Sequence, residues 1–154
     1  MANTQYLTND KYNDLKKELD QLKTERRKEV AEHLEYAKKL GDLSENAEYH
    51  QAREEQAEVE DRIKYIEELL KHAVIADASN SDCVSVGNTV SLIKDGDHKT
   101  SVYHIVGSEE TDSSLGKISN LSPLGSAVLG KKKGDSFVVE TKKGNVKYIV
   151  HEIK

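Results

Sequence analysis

Gly41-Asp42-Leu43-Ser44-Glu45-Asn46-Ala47-Glu48-Tyr49 interrupts two long helical patterns and sets three carboxylates, Asp42, Glu45 and Glu48, around the break. Upstream, from about Thr8 to Leu40, the chain has no Pro or Gly, and core-type positions recur at Leu15, Leu19, Leu22, Arg26, Val30, His33/Leu34, Ala37 and Leu40. Their steps alternate four and three, with one extra four from Arg26 to Val30, a stutter that locally relaxes a left-handed supercoil. Downstream, Tyr49, Ala52, Gln56, Val59, Ile63, Ile66, Leu70 and Ala73 repeat the same rhythm.

The two series are mirror images about a fold point near Leu43. Ala37 faces Tyr49, Leu34 faces Ala52 and Val30 faces Gln56; Arg26 faces Val59, Leu22 Ile63, Leu19 Ile66 and Leu15 Leu70. Such self-complementarity predicts an intramolecular antiparallel coiled coil over residues 1–76. At 1.5 Å rise per residue, arms of about thirty residues make a rod roughly 45 Å long. Its seam weakens toward the tip, where Ala replaces Leu and Ile.

Beyond residue 76 the composition changes. Residues 77–82 are mostly polar and predict a linker. Residues 83–154 carry short β-branched runs: Thr89–Ile93 and Thr100–Val106 around Asp95-Gly96, then Phe137–Glu140 and Val146–Ile153 around Lys143-Gly144-Asn145. Between the pairs, Ser122 as N-cap, Pro123 at the first helical position and Gly130 as a stop define one short helix. Val74-Ile75-Ala76 is expected to add an edge strand. The fold class is therefore α+β: a helical hairpin followed by a small β-rich domain with one short helix.

Composition bounds the function. Of the 154 residues, 36% are hydrophobic and 33% charged, and the formal charge is −5. All of that excess lies before Asp77, and neither half has the surplus of Lys and Arg that general phosphate binding requires. Cys83 is the sole cysteine, so one chain forms no disulfide and no cysteine-rich zinc site, and with no Lys, Arg or His beside it the thiol is expected to be inert. No apolar run approaches the ~20 residues of a membrane span, and the polar N-terminus shows no export signal. A cytoplasmic protein is expected.

The acids at the break have two readings. Asp42-Leu43-Ser44-Glu45 matches a capping box at the start of the second helix, with Ser44 as a competing N-cap, and both carboxylates would suit the positive end of the helix dipole. The other reading is ligation. One helix start needs one cap, yet three acids cluster at the far end of a rod, where no core uses them. Mg²⁺ takes one or two carboxylates from a protein and keeps several waters, so a lone tip binds it feebly but completes a site whose other ligands come from a partner. His33 and His50 are expected to meet across the seam as a polar pair. Lys131-Lys132-Lys133 is expected to be a solvated turn, and Gly125–Gly130 lacks the Gly-Lys-Ser/Thr spacing of a phosphate loop.

These residues resemble the bacterial Gre transcript cleavage factors, of the GreA rather than the GreB type. The resemblance covers nearly the whole chain. It rests on Leu7-Thr8, Leu15, Glu18-Leu19, Leu22 and Arg26-Arg27, and most densely on Gly41 to His50, with Ala52-Arg53-Glu54 and Arg62-Ile63 after it. In the second half Ile118-Ser119, Ser122-Pro123-Leu124-Gly125 and Leu129-Gly130-Lys131 are similar to the family's C-terminal signature. Leu43 is GreA-like, since GreB usually carries Arg there.

The resemblance implies an FKBP-like C-terminal domain over residues 83–154 that docks on RNA polymerase through Ser122, Pro123, Leu124 and Gly125, and a hairpin that enters the secondary channel. Asp42 and Glu45 match the two tip acids that share a Mg²⁺ with the polymerase and position the attacking water. Arg53 and Lys38 match a basic patch facing the RNA 3′ end of the backtracked complex. No membrane and no small-molecule substrate is implied, and the cutting activity is the polymerase's own. Lys28, where many members have Pro, and the proline-free loop Thr141–Asn145 depart from the family pattern, so the first helix is expected to be straighter near Lys28. Two alternatives remain at this stage. A secondary-channel inhibitor of the same architecture would carry additional or altered tip acids. An FKBP-type prolyl isomerase would need an aromatic-lined pocket, for which the second half offers only Tyr103, Phe137 and Tyr148.

Overall fold

In the computed structural model, which describes residues 4–42, 44–78 and 82–154, the chain divides into two units. One is Tyr12–His72; the other joins the segment up to Lys11 to Ala73–Lys154. Leu43, at the expected fold point, and residues 79–81 of the expected linker lie outside the described residues.

The first unit is the hairpin. Its first arm comprises α1 (Asn9–Gln21, whose first turn belongs to the other unit), a π-helical turn over Leu22–Arg26, and α2 (Arg27–Lys39); its second arm is α3 (Ala47–Lys71). Val30, Val59 and Ile63 are buried in the seam, with Leu19 and Leu22 packed against them. Nearer the tip only Ala37 and Ala52, both fully buried, separate the backbones. Salt bridges between the arms flank the seam: Arg62–Glu18 at 2.7 Å, Lys23–Glu67, and Arg27–Glu60 at 2.8 Å. At 1.5 Å per residue α3 runs roughly 37 Å.

Three seam positions differ from expectation. Arg26 is exposed and pairs with Glu29 at 3.1 Å and Glu55 at 3.7 Å, because a guanidinium in so thin a seam reaches water easily. Leu40 is 53% exposed, lying past the last helical turn, and Leu69 rather than Leu70 is the buried residue at the base of α3. The extra spacing at the stutter is taken up by the π turn, one residue wider per turn than an α-helix. Within it the Thr24 hydroxyl donates to the Asp20 carbonyl at 2.8 Å.

In the second unit, β1 (Gln5–Leu7) and β2 (Ala73–Ile75) form a two-stranded parallel ladder. The expected edge strand therefore pairs with β1, and residues 4–11 and 73–76 fall on the β side of the boundary instead of in the hairpin. Thr8 fixes this segment, donating through its amide and hydroxyl to the Glu110 carboxylate at 2.9 and 2.6 Å. The main sheet has the order β5-β4-β3-β7-β6, with β3 (Thr89–Lys94), β4 (Thr100–Val106), β5 (Lys117–Ser119), β6 (Ser136–Thr141) and β7 (Gly144–Ile153). All its pairings are antiparallel except β4–β5. Helix α4 (Pro123–Val128) packs against its inner face, and Val84, Val86, Val90, Leu92, Ile105, Val128, Phe137, Val139 and Val150 form the core. No described helix is long and apolar enough to cross a membrane.

Candidate functional site

The break between the arms is built by one asparagine. Asn46 is the N-cap of α3: its Oδ1 accepts from the Tyr49 amide at 3.1 Å. Its Nδ2 donates at 2.6 Å to the carbonyl of Ala37, in the last turn of α2. One half-buried side chain thus satisfies an orphan donor of one helix and holds a carbonyl of the other. Gly41, at φ +129°, turns the chain away from α2 in a conformation that disfavours a side chain.

Capping by Asn46 overturns the expected capping box at Asp42–Glu45. Ser44 is not the N-cap either. Its amide and hydroxyl both donate to Asp42 Oδ1, at 3.1 and 3.0 Å, in a local turn before the helix starts. One oxygen of Asp42 takes both bonds. The Ser44 amide first and the Ser44 hydroxyl second hold the Asp42 carboxyl below its ordinary range, so it is ionised at neutral pH. Glu45 is exposed in the same segment. Neither acid is engaged in starting the helix, and both are presented to solvent at the hairpin tip.

Farther along the arms, His33 does not meet His50. Its Nε2 lies 3.0 Å from Glu48 and its Nδ1 3.3 Å from Glu55, both on α3; hydrogen bonds to Glu48 first and Glu55 second raise its pKa. His50 instead stacks edge-on with Tyr49 and points Nε2 at the Ser44 carbonyl, 3.5 Å away. Lys38 is exposed in the last turn of α2, and exposed Arg53 donates to Gln56 at 2.8 Å.

The four candidate docking residues have internal duties. Ser122 Oγ accepts from the Gly125 amide at 3.0 Å and donates to the Ser119 carbonyl at 2.7 Å. A Cβ at Gly125 would collide with that same carbonyl, and Leu124 packs on the core. Pro123 is exposed, as is its neighbour Leu121, at 73% the most exposed large apolar residue of the described chain, which sequence reasoning passed over. Phe137 is buried in the core and stacks at 5.7 Å with half-buried Tyr148, and half-buried Tyr103 packs against the same cluster, so these three aromatics serve the core.

Among the described residues no group of three or more His, Cys, Asp or Glu is placed to hold a metal ion. Asp42 and Glu45 nonetheless fit the fraction of a Mg²⁺ shell that a protein usually gives: hard oxygens, solvent-accessible, and in Asp42 firmly ionised. Fold and tip together define a two-unit protein in which a helical hairpin displays exposed acids at its tip.

The comparisons agree along the whole length. Residues 5–75 match the family described as transcription elongation factor, N-terminal, and residues 78–154 the family described as transcription elongation factor, GreA/GreB, C-terminal. The transcription elongation factor GreA of Chloroherpeton thalassium is 48% identical over 157 residues, covering 100% of this chain and 99% of that protein. GreA of Halalkalibacterium halodurans is 44% identical over 151 residues, covering 97% and 96%. Among solved structures, Thermus aquaticus Gfh1 is 29% identical over 99% of both chains with a TM-score of 0.45. The chain belongs to the GreA/GreB family of transcription elongation factors and is of the GreA type.

Proposed function

We propose that this elongation factor carries Asp42 and Glu45 through the secondary channel of bacterial RNA polymerase and stimulates endonucleolytic cleavage of backtracked RNA by the polymerase's own active site. The observation that carries the proposal is the division of labour at the tip: Asn46 starts the helix, so neither acid is taken up in capping it, and both stay exposed. Asp42 is an exposed carboxylate, ionised at neutral pH, and the Ser44 bonds favour that form further, the state a cation ligand or water-orienting base requires. Asp42 and Glu45 are the residues that would hold a Mg²⁺ shared with the polymerase, and such a metal would supply an activated water and a stabilised leaving oxygen. Lys38 and Arg53 are positioned on the arms behind the tip to meet the RNA 3′ end, and the Ser122–Gly125 turn to meet the polymerase surface. The chain is then a factor and not a catalyst by itself.

Adding the protein to a stalled, backtracked elongation complex with Mg²⁺ is expected to shorten the transcript. Asp42→Asn should lower the cleavage rate on the order of a hundredfold, the scale of one electrostatic group lost from an active site, with polymerase binding retained. Full stimulation by that variant sinks the proposal, and slowed cleavage on adding the unmodified protein identifies an inhibitor instead.

A further inference from the structure

We infer that Asn46 is the positioning residue of the tip: by clasping both helix ends it orders the segment that presents Asp42 and Glu45. The inference rests on the reading above but concerns a residue that touches neither metal nor RNA in it.

Three observations carry it. Asn46 bonds to both arms at the break, with 2.6 Å from its Nδ2 to the Ala37 carbonyl on α2 and 3.1 Å from its Oδ1 to the Tyr49 amide on α3. The seam beneath it is thin, made of Ala37 and Ala52, so apolar packing supplies little to fix the ends. Ser44, which donates twice to Asp42, lies two residues before Asn46, so the clasp anchors the chain directly downstream of the bonds that hold Asp42. Asparagine suits the task because its amide accepts with one atom and donates with another. Asp and Ser cap helices as well as Asn does. Asp retains no donor for the Ala37 carbonyl, and the Ser side chain is too short to span both partners.

The test separates capping from clasping. Asn46→Asp and Asn46→Ser both keep an oxygen for the Tyr49 amide and lose the bond to Ala37. In each, amide exchange at Ser44 is expected to quicken at least about tenfold as local opening becomes easier, while the Val59 and Ile63 amides in mid-helix are unchanged. In the cleavage assay the rate at saturating factor should fall roughly ten- to a hundredfold, as for a misplaced reacting group, with the concentration for half-maximal effect unchanged. Unaltered Ser44 exchange overturns the inference whatever the cleavage result. So does a loss of activity matched by loss of helix content or by weaker polymerase binding, which would make Asn46 merely structural. Quickened exchange with full cleavage by both Asn46→Asp and Asp42→Asn would leave the clasp standing as a loop-ordering device and overturn both its catalytic consequence and the proposed function.

Discussion

The two units hold their shape by different means. In the β unit nine buried residues, mostly Val with Leu92, Ile105 and Phe137, interlock between the sheet and α4. In the hairpin Leu15, Ile66 and Leu69 are buried toward the base and Val30, Val59 and Ile63 in mid-arm, but the buried residues nearest the tip are only the small Ala37 and Ala52, with ion pairs along both flanks. Exposed ion pairs contribute little, about 0–1 kcal/mol each. The distal hairpin is therefore placed by register, close backbone approach and a few polar bonds rather than by burial. That arrangement leaves Asp42 and Glu45 exposed to water at the tip.

Deleting core volume should expose the contrast most strongly. Ile105 is fully buried in the sheet core, and Ile105→Ala is expected to destabilise by about 2–5 kcal/mol, the range for such truncations. Urea denaturation followed through Tyr148 and Phe137 would measure it. Val59→Ala in the seam should cost distinctly less, since less volume is lost at a thinner interface. Equal costs for the two would erase the difference between the units.

Overpacking comes next. At Gly125 the new methyl of Gly125→Ala would meet the Ser119 carbonyl, backbone that cannot swing away. The expected loss is about 1–3 kcal/mol, typical of forced core expansion. Gly130→Ala, where a Cβ meets no neighbour, separates this collision from the loss of glycine's backbone freedom, because Gly130 has positive φ and Gly125 does not. A null effect at Gly125 would mean that α4 slides away from β5, and that the family-like Ser122–Gly125 turn is less tightly set than its bonds imply.

The same contrast governs how much the sequence disclosed. Periodicity and turn residues located the hairpin, its register, the four longer strands and α4, because each is set by local spacing. Ser122, Pro123 and Gly130 mark α4 where the structure has it. The parallel pairing of Gln5–Leu7 with Ala73–Ile75 was not legible, since three-residue strands carry no period and their partners lie far apart in the chain. Strand β5 escaped for the same reason. At the tip, Asp42, Ser44 and Asn46 are all good N-cap types, and nothing local ranks them. What selects Asn46 is the Ala37 carbonyl across the hairpin, a tertiary partner that the sequence does not name. The tip acids were legible as candidates, but their release from capping was visible only in three dimensions.

The smallest expected effect lies between the arms. His33 on α2 is bracketed by Glu48 and Glu55 of α3; Arg26 of the π turn also reaches Glu55, at 3.7 Å, and pairs with Glu29. Protonated, both ring nitrogens donate, one to each carboxylate. Because the folded-state pKa is raised above its ordinary value, the stabilisation is fully present below that ordinary value of about 6.5 and is lost as pH rises through the folded value. The hairpin should therefore melt at a higher temperature at pH 6 than at pH 8, and His33→Gln should flatten that slope, the difference from the unmodified chain isolating His33 from His50 and His72. The shift will be small, since the pair is partly open to solvent and salt screens it. A slope untouched by His33→Gln would show that this bridge adds nothing to the seam, leaving the buried apolar residues, the other inter-arm ion pairs and the Asn46 clasp to hold the arms together.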